Sequence, residues 1–201
     1  MNRKSPKCRR AVTFAMTNWN KYVATEKFHE EWIWRHAELL ELKKGQKITD
    51  VLPDFVPSAF YLIEGLMARS TVQENGKRKL ISICLPGNML LNTSNMESKT
   101  RLNSDIVALK RSMFLYTPHS KMVPYKDSDP VFVNYLNVLR EKKLKQMRIH
   151  TELLQEESRS KRFVKFTKLL PDIYRATIQK EQAEYPEISR STVAFAKKHL
   201  L

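Results

Sequence analysis

Residues 58–88 read SAFYLIEGLMARSTVQENGKRKLISICLPGN, and this stretch decides the fold class. Three runs rich in Ile, Leu, Phe, Val and Tyr are separated by Gly65, by Glu74-Asn75-Gly76 and by Pro86-Gly87. Short apolar runs bounded by Gly, Pro and Asn read as β-strands. Asn and Gly both accept positive φ, so Asn75-Gly76 predicts a hairpin turn.

Working outward, all four glycines, at 45, 65, 76 and 87, fall between about residues 40 and 118. ELLELKKGQKITDV and SDIVALKRSMFLYTP continue the same composition on either side. Seven or eight strands are expected, enough for an antiparallel β-roll or jelly roll. Both flanks change character. RRAVTFAMTNWNKYVA and EKFHEEWIWRHAELL contain neither Gly nor Pro and space their apolar residues helically, so they predict helices packed on the roll.

Asp129-Pro130 is a helix-start signal, and the 27 residues VFVNYLNVLREKKLKQMRIHTELLQEE follow without a breaker. Leu136, Leu144, Met147, Thr151 and Leu154 share one stripe, interrupted in register by Arg140. A stripe of this kind calls for a partner helix, or for a seat on the roll. SRSKRFVKFTKLLPDIYRA then predicts a basic amphipathic helix ending near Pro171, and TIQKEQAEYPE and ISRSTVAFAKKHLL predict two short helices with a break between them. The whole is α+β: N-terminal helices and an antiparallel roll over 1–128, a long dimerisation helix over 129–157, and a small three-helix unit over 158–201.

Composition narrows the function classes. With 201 residues and 42% hydrophobic content the chain can bury one or two modest cores. No run approaches the roughly 18 apolar residues of a membrane span, and the basic start MNRKSPKCRR lacks the apolar core of a signal peptide. A soluble, cytoplasmic protein is expected. Cys8 and Cys84 stand far apart and the five histidines show no H-x-x-x-H spacing, so neither a metal nor another cofactor is expected. No nucleophile–base pair or carboxylate pair stands at a known spacing, so no catalytic residue is assigned and an enzyme is not expected. The net charge of +15, from 36 basic and 21 acidic residues, favours a polyanionic partner. Residues 156–201 hold ten basic and six acidic side chains, so the excess is spread along the molecule.

The order of parts resembles the CRP/FNR-type transcription regulators, which join a cyclic-nucleotide-binding-like β-roll to a long dimerisation helix and a C-terminal helix-turn-helix. The resemblance rests on LKKGQ, the FYLIEGLMAR strand pair, the ENGKRKLISICLPGN hairpin and the S-x-S-T-V helix start, and it covers the chain from about residue 10. It implies a homodimer joined through residues 130–155, double-stranded DNA as partner, and a small-molecule effector that the sequence does not identify.

In cyclic-nucleotide-binding members, a Gly-Glu pair and a downstream arginine hold the ribose and the cyclic phosphate. Counting from Gly87, the Gly-Glu positions here are Leu91 and Asn92, and Arg101 stands one residue out of register with the phosphate-binding arginine. Loss of cyclic-nucleotide binding is therefore expected. Asn92 and Arg101 remain as candidate effector-pocket residues, and Met89, Leu90, Leu91 and Met96 are candidates to fill the space.

Aligned on Ile188-Ser189, the family's recognition helix places Ser189, Arg190, Ser191 and Thr192 at the positions that meet DNA. Arg190 can fork onto guanine O6 and N7. Ser189 is an N-cap whatever the function. Lys197, Lys198, Gln179 and Lys180 suit phosphate contact. The family commonly has a glutamate and a second arginine where this chain has Ser191 and Phe195, which implies relaxed specificity, with Phe195 expected in the core. Glu187 occupies the turn's glycine position, where a left-handed conformation is expected at a cost of about 1 kcal/mol. Pro186 is expected to force Tyr185 from helical angles. No β-wing is expected after the recognition helix. The alternative reading is a dimeric effector- or protein-binding scaffold whose terminal helices no longer read DNA.

Overall fold

The structure, a computed structural model, describes residues 1–126 and 128–200; Leu201, the end of the stretch aligned with the recognition helix, lies outside them. Helices α1 (Pro6–Trp19) and α2 (Lys27–His36) precede strand β1 (Glu38–Leu42). A 3-10 turn at Ile48–Asp50 leads to β2 (Ser58–Glu64), β3 (Met67–Val72), β4 (Arg78–Cys84), β5 (Met89–Leu91), β6 (Asp105–Ala108) and β7 (Ser112–Pro118). Helices α3 (His119–Lys126), α4 (Pro130–Gln155), α5 (Arg159–Leu169), α6 (Pro171–Ala176), α7 (Gln179–Glu184) and α8 (Arg190–His199) follow. The strands form two antiparallel sheets, of order β1-β7-β2-β5 and β4-β3-β6, so the fold is α+β with one long helix. Contacts divide the chain into two compact units: Met1–Met67 with Cys84–Arg140, and Ala68–Ile83 with the chain from Glu141 onward.

In the first unit the four-stranded sheet is covered on both faces, which explains why its strands read as continuous apolar runs instead of alternating ones. Successive strand residues point to opposite faces. Phe60, Leu62, Leu90, Phe114 and Tyr116 therefore enter the interior of the roll, in one cluster with Leu42, Ile48 and Ile106. Their neighbours Ala59, Ile63, Met113 and Leu115 join the other cluster, built with α1, α2 and the first turns of α4. The helix predicted to run through HAELL stops at His36, because Glu38–Leu42 pairs along β7 from Glu38 opposite Tyr116 to Leu42 opposite Ser112. Of the four candidates to fill the pocket, Leu90 alone joins the roll cluster; Met89, Leu91 and Met96 pack on the helical side.

Helix α4 starts where Asp129-Pro130 predicts: Asp129 Oδ1 accepts from the amides of Val131 at 2.9 Å and Phe132 at 3.1 Å. Its first turns bury Phe132, Tyr135 and Leu139, with Leu136 packed beside them. Leu136 thus leaves the exposed stripe on which its spacing places it. Leu144 and Met147 keep their exposure, at 40% and 47%.

The second unit holds the β3–β4 hairpin, where the Gly76 amide donates to the Gln73 carbonyl at 2.9 Å and Gln73 N–H donates to the Lys77 carbonyl at 2.9 Å. Its helices close over Phe163, Phe166, Ile173, Tyr185, Val193 and Ala196, all buried. Phe166 meets Tyr174 edge-on at 6.2 Å and Tyr185 at 5.7 Å. Among the described residues four helices follow α4 instead of the expected three. Leu170 leaves helical angles at φ −130°, ψ 56°, and Pro171 opens α6. A proline lacks only an amide that needs no partner at a first helical position, so the residue that ends α5 also starts the next helix.

Candidate functional site

Helix α8 begins on Ser189, whose Oγ accepts from the Thr192 amide at 3.0 Å and lies 2.7 Å from Ser191 Oγ and 2.8 Å from Thr192 Oγ1. This hydroxyl cluster caps the helix. At about 100° per residue, the fully buried Val193 and Ala196 define the inner face, Ser191, Ala194, Phe195 and Lys198 spread over the opposite one, and the exposed Arg190, three residues before Val193, lies on the flank between them. Phe195 is 54% exposed, not in the core as expected, and its ring lies 4.8 Å from that of His199. The helical phase decides this: a residue two positions from Val193 is turned some 200° away.

The other candidates fall on the flanks. Lys197 holds its ammonium 5.6 Å from the Tyr174 ring centre, a cation–π placement beside α6. Gln179 Nε2 donates to the Arg190 carbonyl at 3.1 Å, tying α7 to the first turn of α8. Lys180 is exposed, with Glu184 3.9 Å away. Ser191 and Lys198 therefore stand on the outward face and the exposed Arg190 at its edge, with Gln179 and Lys180 beside the first turn.

The turn into α8 has the expected left-handed residue: Glu187 is at φ 55°. The Ile188 amide donates back to the Ala183 carbonyl at 3.0 Å, the six-to-one bond of a Schellman turn. Tyr185, in contrast, keeps helical angles, φ −74° and ψ −51°, in front of Pro186. Packing overrides the pre-proline preference here. Tyr185 is fully buried, stacks on His150 at 4.3 Å, and its carbonyl accepts from His150 Nε2 at 2.8 Å.

Residues that the sequence does not single out hold this turn. Arg78 on the hairpin reaches Glu184 Oε2 through Nε at 3.0 Å and Nη2 at 2.7 Å, and Lys79 pairs with Glu187 at 2.5 Å. Arg162 donates to the Pro186 carbonyl at 3.2 Å and to the Glu156 carbonyl at 2.7 Å. No local signal could have found the hairpin pairs, since Arg78 and Glu184 lie 106 residues apart.

A carbonyl only accepts, so His150 must carry its proton on Nε2, and burial pushes its pKa below the ordinary value of 6.5. His36 and His119 are lowered by burial as well. A depressed histidine contributes stability that is present above about pH 6.5 and lost as pH falls through the folded-state value. Stability is thus expected to drop between pH 7 and pH 5, read as the urea midpoint at each pH. His150→Gln should flatten that slope; an unchanged slope would exclude His150 as a contributor.

The second candidate site is a cleft in the first unit. Phe60 and Tyr116 line it together with Asn92 and Arg101. Asn92 is engaged: its Oδ1 accepts from the Ser58 amide at 2.8 Å and its Nδ2 donates to the Val56 carbonyl at 2.7 Å. The charged lining is balanced, with Lys47 and Arg101 against Asp54 and Asp105, and Lys47 already pairs with Asp105 at 2.7 Å. Among the described residues no group of three His, Cys, Asp or Glu side chains could hold a metal ion, and no helix is long and apolar enough to cross a membrane.

A roll of two antiparallel sheets, a 26-residue helix and closing short helices with a capped, basic last helix define the CRP/FNR-type fold, and solved structures bear this out. FixK2 from Bradyrhizobium japonicum is similar at 17% identity and a TM-score of 0.66, over 82% of this chain and 84% of that one. The c-di-GMP-responsive global regulator CLP of Xanthomonas campestris is similar at 12% identity and a TM-score of 0.66, over 87% and 91%. A CRP/FNR-family transcriptional regulator of Thermus thermophilus is similar at 17% identity and a TM-score of 0.59, over 81% and 85%. No family model matches the sequence, and no curated protein matches it.

Proposed function

We propose that this protein is a DNA-binding transcription regulator that does not respond to cyclic nucleotides. Residues 158–201 read DNA, residues 129–157 join two copies, and residues 1–128 form the effector-facing roll. The observation that carries the reading is the exposed surface of α8, which offers Arg190, Ser191, Phe195 and Lys198 to a partner with no acidic residue on the helix. A helix with this face can enter a major groove, Arg190 reading guanine and Lys198 meeting phosphate. Phe195 offers an apolar contact for a thymine methyl.

Two copies paired through Leu144, Met147, Thr151 and Leu154 give the three-four spacing of a helix seam, and two-fold symmetry places two α8 helices on successive turns of DNA. The cleft supports non-response to cyclic nucleotides, because Asn92 has its amide engaged and the lining carries as many carboxylates as cations. A cyclic phosphate needs converging positive charge and free donors.

Selection of bound fragments from a genomic library tests the reading. The expected result is a recurrent two-fold-symmetric site, with half-sites about 10 bp apart or a multiple of it, and no heat on titration with cyclic AMP or cyclic GMP. Fragments enriched without any common site would instead support a scaffold that no longer reads DNA. One-site micromolar binding of either nucleotide would overturn the second half of the proposal.

A further inference from the structure

Two neighbouring cations at the start of β4 meet the two carboxylates that bracket the turn before α8, all within the second compact unit. Arg78 bonds Glu184, the last residue of α7, through Nε at 3.0 Å and Nη2 at 2.7 Å, and Lys79 Nζ lies 2.5 Å from Glu187 Oε1. That oxygen is shut off from solvent, and the ammonium is the charge it faces. Among the described residues, Glu187 is the one non-glycine with a positive φ, at 55°. A glutamate is strained in that conformation, which glycine ordinarily fills because it has no Cβ.

The residues around Glu187 are fixed from elsewhere. Pro186 has its φ set by its ring, and its carbonyl accepts from Arg162 at 3.2 Å. Tyr185 is stacked on His150, and its carbonyl accepts from that ring at 2.8 Å. Beyond the turn, Ser189 caps α8 through the Thr192 amide. Glu187 and Ile188 are therefore the joint at which the chain changes direction into α8. The Ile188 bond to the Ala183 carbonyl, at 3.0 Å, forms while Glu187 stays left-handed and is lost when it does not.

We propose that Lys79 is a positioning residue: its ammonium holds Glu187 in the left-handed conformation and so sets the angle at which α8 leaves the turn, with Arg78 anchoring the end of α7 from the same strand. The pair supplies what a glutamate lacks at this position. The ammonium keeps the carboxylate against the hairpin, and the carboxylate keeps the backbone in the left-handed well. Without that charge the carboxylate is buried unpaired. Rotation of Glu187 to negative φ then relieves burial and strain together, breaks the Ile188 bond and re-aims α8. What this does to DNA rests on the DNA-binding reading; the hold on the turn does not.

Lys79→Met keeps the apolar stem and removes the charge. In the full chain it is expected to speed hydrogen exchange at the Ile188 amide, read by ¹⁵N-resolved NMR, by about fivefold or more. Binding to the selected DNA site should weaken by a similar factor, while unrelated DNA binds as before. Glu187→Gly takes the left-handed angles without a partner, so in that background Lys79→Met should change neither quantity by more than about twofold. A contact that merely stabilises the unit acts alike in both backgrounds, and a phosphate contact weakens binding to all DNA. Unchanged exchange at Ile188 in Lys79→Met, faster exchange with full site affinity, or an equal loss in the Glu187→Gly background would each overturn the proposal. The comparison within Glu187→Gly stands even where Lys79→Met alone unfolds the unit. A protein that selects no DNA site defeats the DNA-binding reading instead, and the exchange rates then decide whether Lys79 holds Glu187.

Discussion

Gly65→Ala is expected to destabilise the first unit by about 3 kcal/mol or more. Gly65 sits at φ +97° in the turn between β2 and β3, in the left-handed region. A Cβ there would lie 2.3 Å from the Arg111 carbonyl oxygen and 2.7 Å from Ser112 Cα, which are backbone atoms that cannot swing aside. The same turn is pinned by Ser112, whose Oγ accepts from the Leu66 amide at 3.1 Å, and by the Leu109 amide, which donates to the Leu66 carbonyl at 2.8 Å. Moving the backbone to admit a methyl group breaks those bonds. Gly45 provides the internal control: it has φ +88°, but a methyl group there would enter open space, so Gly45→Ala should cost only the conformational contribution, about 1 kcal/mol. Urea denaturation of both variants decides the matter. Equal losses would show that the close approach of Arg111 and Ser112 contributes nothing.

Arg190→Ala is expected to lower affinity for the selected DNA site by roughly 10- to 100-fold, the worth of one bidentate guanine contact. Weak, salt-sensitive binding to unrelated DNA should remain, because the lysines proposed to meet phosphate are untouched. The geometry singles out this arginine: it is exposed in the first turn of α8, beside the Ser189 cap, with its carbonyl held by Gln179. Lys198→Ala should act differently. It should weaken binding to all sequences alike and lower the salt slope by about one. Competition between specific and unrelated fragments over a salt series separates the two, and an Arg190→Ala protein that keeps its full site preference would remove Arg190 from the reader's role.

Much of the fold is legible in the chain. The runs in 58–88, the Asn75-Gly76 hairpin, the Asp129-Pro130 helix start and the Ser189 cap all depend on φ preferences, caps and apolar spacing within a few residues, whereas the left-handed Glu187 is implied only by the resemblance, since a glutamate has no local preference for that conformation. The departures are of a different kind. Tyr185 keeps helical angles before Pro186 because His150, 35 residues away, stacks on its ring and bonds its carbonyl. Phe195 lies outside, not in the core, because the inner face of α8 is set by Val193 and Ala196, and periodicity within ten residues cannot tell which side α5 and α7 cover. Leu136 belongs by spacing to an exposed stripe, and only the arrangement of α1, α2 and α4 draws it inward.

The sequence by itself determined the α+β class, the strand-rich middle between helical flanks and the residues that open α4 and α8, since those properties reside in short-range sterics and hydrogen bonding. Tertiary structure alone decided which side chains face outward on α8, that Asn92 is engaged, and that Arg78 and Lys79 clamp the turn. Those outcomes depend on groups brought together across tens of residues, where burial and pairing outweigh any local preference.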